Sequence, residues 1–304
     1  MLCSCFDPFG PDDIEVYDQY FRQTENEISD SFTNSRVAWN PAFNYQKAVI
    51  ADLFCLISDG GVFTTPHMAM PVGNLTAEGL QKVVDIIAPH FDNQGWPLRI
   101  LYIAERHLPL FDSLNGYKFK ISHDDCYSDY IYDSESLMTL AGKALHAKRN
   151  HINRFFRNCP DYSYTPLTIA DEAGCLALVE QWGTEKGIDR YDIRDSDYVP
   201  IQNLFSYMDK LQVRGGVIRL GEEIAAFAVG SKWRDLGVIH FEKARTDIDG
   251  LYAVINKLVV ENEFSDCSEI NREEDMGIDG LRKAKQSYLP KRMIIKYEAL
   301  LTRD

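Results

Sequence analysis

Between Asn271 and Pro290 the chain reads Asn-Arg-Glu-Glu-Asp-Met-Gly-Ile-Asp-Gly-Leu-Arg-Lys-Ala-Lys-Gln-Ser-Tyr-Leu-Pro. Glu273, Glu274 and Asp275 offer carboxylates that can deprotonate an attacking amine or hydroxyl, while Arg272, Lys283 and Lys285 can stabilise an oxyanion or a donor phosphate. Asp275, Lys285, Glu273 and Arg272 are therefore the catalytic candidates, and Glu242, Asn271 and Tyr288 the acceptor-binding candidates. An apolar strand at Ser268–Ile270 leads in, Gly277 and Gly280 turn the chain, and a short basic helix stops before Pro290. Strand ends facing helix starts are where open α/β sheets place ligands, because free backbone N–H groups converge there. The plainer reading is an exposed, salt-bridged corner.

Two further segments carry candidate chemistry. From Lys143 to Arg157 the chain holds Lys143, Lys148, Arg149, Arg154 and Arg157 and no acid, the largest local reversal of sign in an acidic protein. Lys143, Asn150, Arg154 and Arg157 lie close to one stripe of its helix that could meet phosphate, set against a solvated helix face. Glu242-Lys243-Ala244-Arg245-Thr246-Asp247-Ile248-Asp249-Gly250 leaves a strand and enters a helix, which makes Arg245 and Gly250, together with Lys283, further donor candidates. The usual pyrophosphate-cradling pattern, Arg/Gln-x-x-Gly-x-Gly/Ala, is not present there, and Asp247 and Asp249 repel phosphate.

The elements that must position these residues follow the same order twice. Apolar runs at Ala48–Ser58 and Val62–Met70 flank Asp59-Gly60-Gly61, a hairpin signal, and are followed by a helix at Thr76–Phe91, a strand at Leu98–Ala104, a short helix and a strand from Tyr117. In the second half, strands at Gly216–Leu220, Ile224–Trp233 and Gly237–Lys243 precede a helix at Gly250–Phe264, the Ser268–Asn271 strand, the Gly280–Tyr288 helix and a last strand at Arg292–Ala299. A single helix from Ser134 to Asn158 connects the halves. The expected organisation is two α/β (α+β) domains, 1–133 and 165–304, each a mixed sheet flanked by helices, with a basic connecting helix and linker at 134–164.

With 304 residues, 45% of them hydrophobic, the chain can fill two cores. Its 32 Lys plus Arg against 46 Asp plus Glu give a net charge of −14, which opposes non-specific contact with DNA or an anionic bilayer. Seven scattered cysteines fit reduced thiols and a cytoplasmic setting, and Cys3 and Cys5 lack partners at metal-ligand spacing, so no metal is expected. No apolar run approaches the roughly 20 residues that span a bilayer. Gly-x-Ser-x-Gly, phosphate-loop, Gly-x-Gly-x-x-Gly and His-Glu-x-x-His motifs are absent, and His67, His107 and His240 read as core or surface histidines.

Asn271-Arg272-Glu273-x-Asp275-x-Gly277, Gly280-Leu281-Arg282-Lys283-Ala284-Lys285, Ser287-Tyr288-x-Pro290 and Gly142-Lys143-Ala144-Leu145-His146-Ala147-Lys148-Arg149-Asn150, with Glu242-Lys243-Ala244, resemble the phosphatidylglycerol lysyltransferase C-terminal-domain family. That family is a branch of the GNAT acyltransferase superfamily related to aminoacyl-tRNA-dependent ligases. The resemblance implies tandem GNAT-like domains and an enzyme that moves an acyl or aminoacyl group from an activated donor to an amine or hydroxyl acceptor. It also implies coenzyme A or aminoacyl-tRNA as co-substrate, with no tightly bound cofactor, a small-molecule or lipid head-group acceptor, Lys148, Arg149 and Asn150 as phosphate-binding candidates, and Lys285 at the basic position of the C-terminal block. The competing expectation from the residues is a non-catalytic binding or regulatory protein that reads a phosphorylated ligand.

Overall fold

A computed structural model describes residues 6–62 and 64–302; Cys3 and Cys5 lie outside them. In chain order the strands are β1 (Asp7–Pro8), β2 (Gln46–Ile50), β3 (Leu53–Ser58), β4 (His67–Ala69), β5 (Val72–Gly73), β6 (Arg99–Ile103), β7 (Lys118–His123), β8 (Asp129–Asp133), β9 (Tyr162–Pro166), β10 (Val213–Leu220), β11 (Glu223–Trp233), β12 (Leu236–Ala244), β13 (Glu269–Asn271), β14 (Arg292–Ile294) and β15 (Tyr297–Thr302). The α-helices are α1 (Ile14–Phe21), α2 (Thr33–Phe43), α3 (Ala77–Asn93), α4 (Pro109–Asp112), α5 (Ser134–Thr139), α6 (His146–Asn158), α7 (Glu172–Glu185), α8 (Tyr198–Ser206), α9 (Leu251–Glu263) and α10 (Asp279–Gln286).

The chain divides into two compact units, 1–128 with 294–304 and 129–293. Compared with the expected 1–133, 134–164 and 165–304, the basic helix belongs to the second unit and the last strand returns to the first. The first unit's sheet runs β1-β2-β3-β4-β6-β15-β7, with β5 on β3. Helix α3 starts at Thr76, whose hydroxyl accepts from Gly79 N at 3.0 Å, and buries Leu80, Val84, Ile87 and Phe91 in one cluster with Cys55, Ile57, Met68, Ile100 and Ala299. Each Leu, Val, Ile, Met or Phe side chain of this cluster removed from water contributes about 1.5–3 kcal/mol.

Two local expectations change here. The apolar run Ala48–Ser58 is not one strand but most of a hairpin, in which β2 and β3 pair Ile50 with Leu53 across Ala51 and Asp52. These two residues take φ of 51° and 60° without a glycine, so the glycine–asparagine signal of a tight hairpin turn is missing from the sequence. The expected strand Arg292–Ala299 is two strands in different sheets, β14 beside β8 and β15 between β6 and β7.

In the second unit the order is β14-β8-β13-β12-β11-β10-β9. The long β10–β11–β12 meander is antiparallel, whereas β12 and β13 run parallel. Val254 and Val259 of helix α9, and Phe264 just after it, pack in one cluster with Ala226, Ala228 and Ile239, and α7 lies against β11 and β12. The expected single helix from Ser134 to Asn158 is broken between α5 and α6, where Leu140 takes φ 49° and Gly142 φ 88°. Among the described residues no helix is long and apolar enough to cross a membrane.

Candidate functional site

The site of the second unit grows from a parallel pair that ends early. Strand β13 pairs with β12 only from Leu236↔Glu269 to Val238↔Asn271, yet β12 continues to Ala244. Beyond Asn271 the chain leaves the sheet through residues with positive φ, Glu273 at 58°, Met276 at 53° and Gly277 at 73°. The two strands therefore part, with Glu242 on the free half of β12 and Arg272 immediately after β13. Backbone strain of this kind concentrates where a site must be built.

Arg272 is the hub. Its Nη2 donates to Glu242 at 3.1 and 3.3 Å, and its guanidinium carbon lies 4.9 Å from the Tyr288 ring and 5.7 Å from the Tyr132 ring. Burial works against its charge, but Glu242 and then the tyrosines outweigh that cost and hold its pKa above the ordinary arginine value. Asn256 on α9 donates to Glu242 Oε2 at 3.1 Å. The Tyr288 hydroxyl is close enough to interact electrostatically with the guanidinium, yet Arg272 Nη1 is buried without a hydrogen-bond partner of good geometry. Burial pushes Tyr288 up to about 12, with Arg272 pulling it back.

Lys148 of α6 places its Nζ 4.2 Å from the Tyr288 ring. Burial and then the Arg272 charge lower its pKa, with Glu242 opposing. It makes no ion pair with any described residue. Lys285 of α10 is buried and donates to the carbonyl oxygens of Arg272 and, at 3.2 Å, of Glu273. Burial first, and Arg272 second, bring it down to about 8. Tyr132 Oη donates to the Lys285 carbonyl at 2.8 Å, which fixes α10 against β8.

Glu273 reaches back to the sheet. One of its carboxylate oxygens lies 2.8 Å from His240 Nδ1. His240 sits in a β-bulge, since Val229 faces Phe241 and Gly230 faces Ile239, leaving it opposite no residue of β11. The bulge needs Gly230, where a Cβ would lie 2.1 Å from the Val238 carbonyl oxygen.

The remaining candidates have other work. Asp275 is 1% exposed and accepts from Tyr130 Oη at 2.6 Å, Arg282 Nε at 2.9 Å, Arg282 Nη2 at 3.0 Å and Gly277 N at 2.8 Å. The Arg282 hydrogen bonds, outweighing burial, hold its carboxyl at about 2. A carboxylate with that many donors clamps the loop and is a poor base. Asn271 likewise bridges Asp129 at 2.9 Å and Glu273 N at 2.7 Å. Arg149 donates to the Leu140 carbonyl and, at 2.8 Å, to that of Gly142, closing the break between α5 and α6 instead of facing the hub. Asn150 and Lys283 are exposed. Arg245 pairs with Asp247 at 2.7 Å, and Gly250 packs so closely that a Cβ would lie 2.4 Å from the His151 carbonyl oxygen. Asp249 is held by His151 at 2.8 Å and by Arg154.

Thus Lys148, Glu242, Arg272, Glu273, Lys285 and Tyr288 converge, while Arg149, Asn150, Lys283, Arg245 and Gly250 do not join them. The family model for phosphatidylglycerol lysyltransferase, C-terminal, matches residues 4–300. The chain belongs to this family. A conserved protein of unknown function from Bacteroides thetaiotaomicron VPI-5482 has 30% identity and a TM-score of 0.88, covering 99% of this chain and 100% of its own. L-PGS from Bacillus licheniformis has 15% identity and a TM-score of 0.66, covering 97% and 92%. A tandem GNAT protein from the clavulanic acid biosynthesis pathway shares the fold at 8% identity and a TM-score of 0.51, covering 97% and 98%. With an uncharacterized Mycoplasmoides gallisepticum protein the match is 25% identical over 187 residues, 60% of this chain and 58% of that relative. Family membership and these neighbours establish the two-sheet, GNAT-like α/β fold.

The sequence missed His240 and Ser231, which lies beside it. Val238, Ile239, His240 and Phe241 are all buried, so the inside-outside alternation that would mark a functional side chain on a strand is absent.

Proposed function

We propose that this chain is an aminoacyltransferase that moves an aminoacyl group from an ester donor to an amine or hydroxyl acceptor. The observation that carries the reading is a pair of donor atoms at the Tyr288 ring, the half-buried Lys148 Nζ, which makes no ion pair with a described residue, and the buried Arg272 Nη1, which has no hydrogen-bond partner of good geometry although Glu242 balances the guanidinium through Nη2. A buried donor left unpaired is costly, and an acyl oxygen or phosphate would satisfy it. As the acceptor attacks, its bond to the acyl carbon forms, the donor's ester C–O bond breaks, and negative charge develops on the acyl oxygen beside these cations. The proton leaves the acceptor for a carboxylate and passes to the departing ester oxygen, so the transfer is proton-neutral. Positioning supplies the remainder of the rate, and no covalent enzyme intermediate is required.

An aminoacyl-tRNA donor is favoured over coenzyme A by the turn after β12. Arg245, the basic residue there, is engaged by Asp247, and Asp249 is pinned to α6, so the turn presents acids where a pyrophosphate would need donors. The test incubates the full chain with radiolabelled aminoacyl-tRNAs, or with acetyl-coenzyme A, and primary amines or phosphatidylglycerol vesicles as acceptors. Acid-stable transfer of label from tRNA supports the reading. Transfer from acetyl-coenzyme A alone replaces it with an acetyltransferase, and ligand binding without transfer from either donor replaces it with a sensor.

A further inference from the structure

Ser231 of β11, His240 of β12 and Glu273 form a continuous hydrogen-bonded chain. Ser231 Oγ lies 2.8 Å from His240 Nε2, and His240 Nδ1 lies 2.8 Å from Glu273 Oε1. The connectivity is that of a nucleophile, a base and an orienting acid. Accessibility runs the other way. Ser231 is 4% exposed, the His240 side chain 2%, and the Glu273 side chain 24%, so the end that a substrate can approach is the carboxylate and the serine is the anchor.

Proton bookkeeping fixes each group's role. An ionised Glu273 can only accept, so His240 donates through Nδ1–H; in the neutral imidazole Nε2 then carries a lone pair, which accepts a hydrogen bond from the Ser231 hydroxyl. Gly230 lets the bulge form, and the bulge is what turns His240 towards the loop after β13. The backbone of Glu273 is tied down independently, with its N–H on Asn271 Oδ1 at 2.7 Å and its carbonyl accepting from Tyr130 N at 3.1 Å and Lys285 Nζ at 3.2 Å. The imidazole from β12 meets the carboxyl directly, and the Lys285 ammonium from α10, bonded to the carbonyl of the same residue, interacts with it electrostatically.

We infer that His240 and Ser231 are positioning residues that orient Glu273 and keep it ionised, and that Glu273 is the carboxylate that takes the proton from the acceptor. This rests on the transferase reading for its last step, but not for the arrangement itself. Two other acids nearby have partners of their own. Asp275 is saturated by Arg282, Tyr130 and Gly277, and Glu242 neutralises Arg272.

The decisive measurement is the imidazole ¹H–¹⁵N spectrum of the full chain labelled at histidine, assigned with His240→Asn. The inference requires the Nδ1–H tautomer, an Nε2 resonance that moves in Ser231→Ala, and an Nδ1 resonance that moves in Glu273→Gln. Finding Nε2–H instead would overturn it, because a bare Nδ1 facing Glu273 demands a protonated carboxyl that cannot act as base. In the transfer assay, His240→Leu should lower kcat at least tenfold with the donor KM unchanged, and move the acidic limb of the kcat–pH profile upward, since a carboxylate that loses a donor binds its proton more tightly. His240→Asn, which can still donate to Glu273, should restore most of the rate, and Ser231→Ala should give a few-fold loss. Wild-type kcat and an unmoved limb in Ser231→Ala and His240→Leu would also overturn the inference. If the wild-type chain transfers from no donor, the transferase reading fails while the tautomer still decides the arrangement; if His240→Leu does not fold, Ser231→Ala carries the kinetic arm.

Discussion

Burial acts on Lys148 and Lys285 in the same direction, but their surroundings give them different uses. Lys285 donates to two backbone carbonyls, so its charge is held by dipoles and sits at about 8. Because that value is below the unfolded one, the unfolded chain binds more protons between about pH 8 and 10.5, and stability should rise through this window by up to roughly 3 kcal/mol. Denaturant titrations at pH 7.5, 9 and 10.5 should show the rise in wild type and lose it in Lys285→Met. Lys148 has an aromatic face and no carboxylate. Lys148→Met should weaken an anionic ligand by about 1–3 kcal/mol with little change in Tm, whereas Arg149→Met should lower Tm and leave that affinity unchanged, since Arg149 closes the α5–α6 break. Thermal melts with calorimetric binding separate the two. In the sequence both residues stand in the same basic stretch; only the break at Leu140 and Gly142, signalled by a single glycine, turns one inward and commits the other to the backbone.

At the scale of elements, the segment from β13 through α10 was legible because charge, glycine and proline mark its parts in order. What was not legible is how each acid is spent. Asp275 reads as a base and is a clamp, since its partner Arg282 is seven residues on and comes to face it only after the loop folds back. Asp275→Asn should destabilise the second unit by on the order of 2 kcal/mol at neutral pH. The sign follows from its depressed pKa: the wild-type contribution is complete above about pH 4 and fades as pH falls towards 2, so wild type and variant should converge in acid denaturation curves. The β2–β3 hairpin was hidden for a different reason. Ala51 and Asp52 adopt left-handed φ without glycine, and a continuous apolar run then reads as one strand. Ala51→Gly should relieve that strain and stabilise the first unit by about 0.5–1 kcal/mol, checked by urea denaturation.

For the whole molecule, repeated element order revealed two α/β units, but not that one of them is discontinuous. The first unit closes with β15, which inserts between β6 and β7 and contributes the fully buried Ala299 to the core beneath α3. A pairing between residue 300 and residues near 100 and 120 has no local signature, because the alternating apolar pattern says that a strand needs a partner and not which one. Strands β14 and β15 are separated only by Ile295 and Lys296, and so short a link hides the passage from one sheet to the other. Removing residues 294–304 should therefore strip β7 of its neighbour and unfold the first unit, while the contiguous second unit, 129–293, keeps its sheet and its Lys148–Arg272–Tyr288 cluster. Hydrogen exchange with mass spectrometry gives the outcome directly: amides of β2, β3 and β6 should lose protection in the truncated chain and those of β10, β11 and β12 should retain it. Loss of protection in both would mean that the second unit's stability depends on the first, and the two would then have to be treated as one cooperative fold.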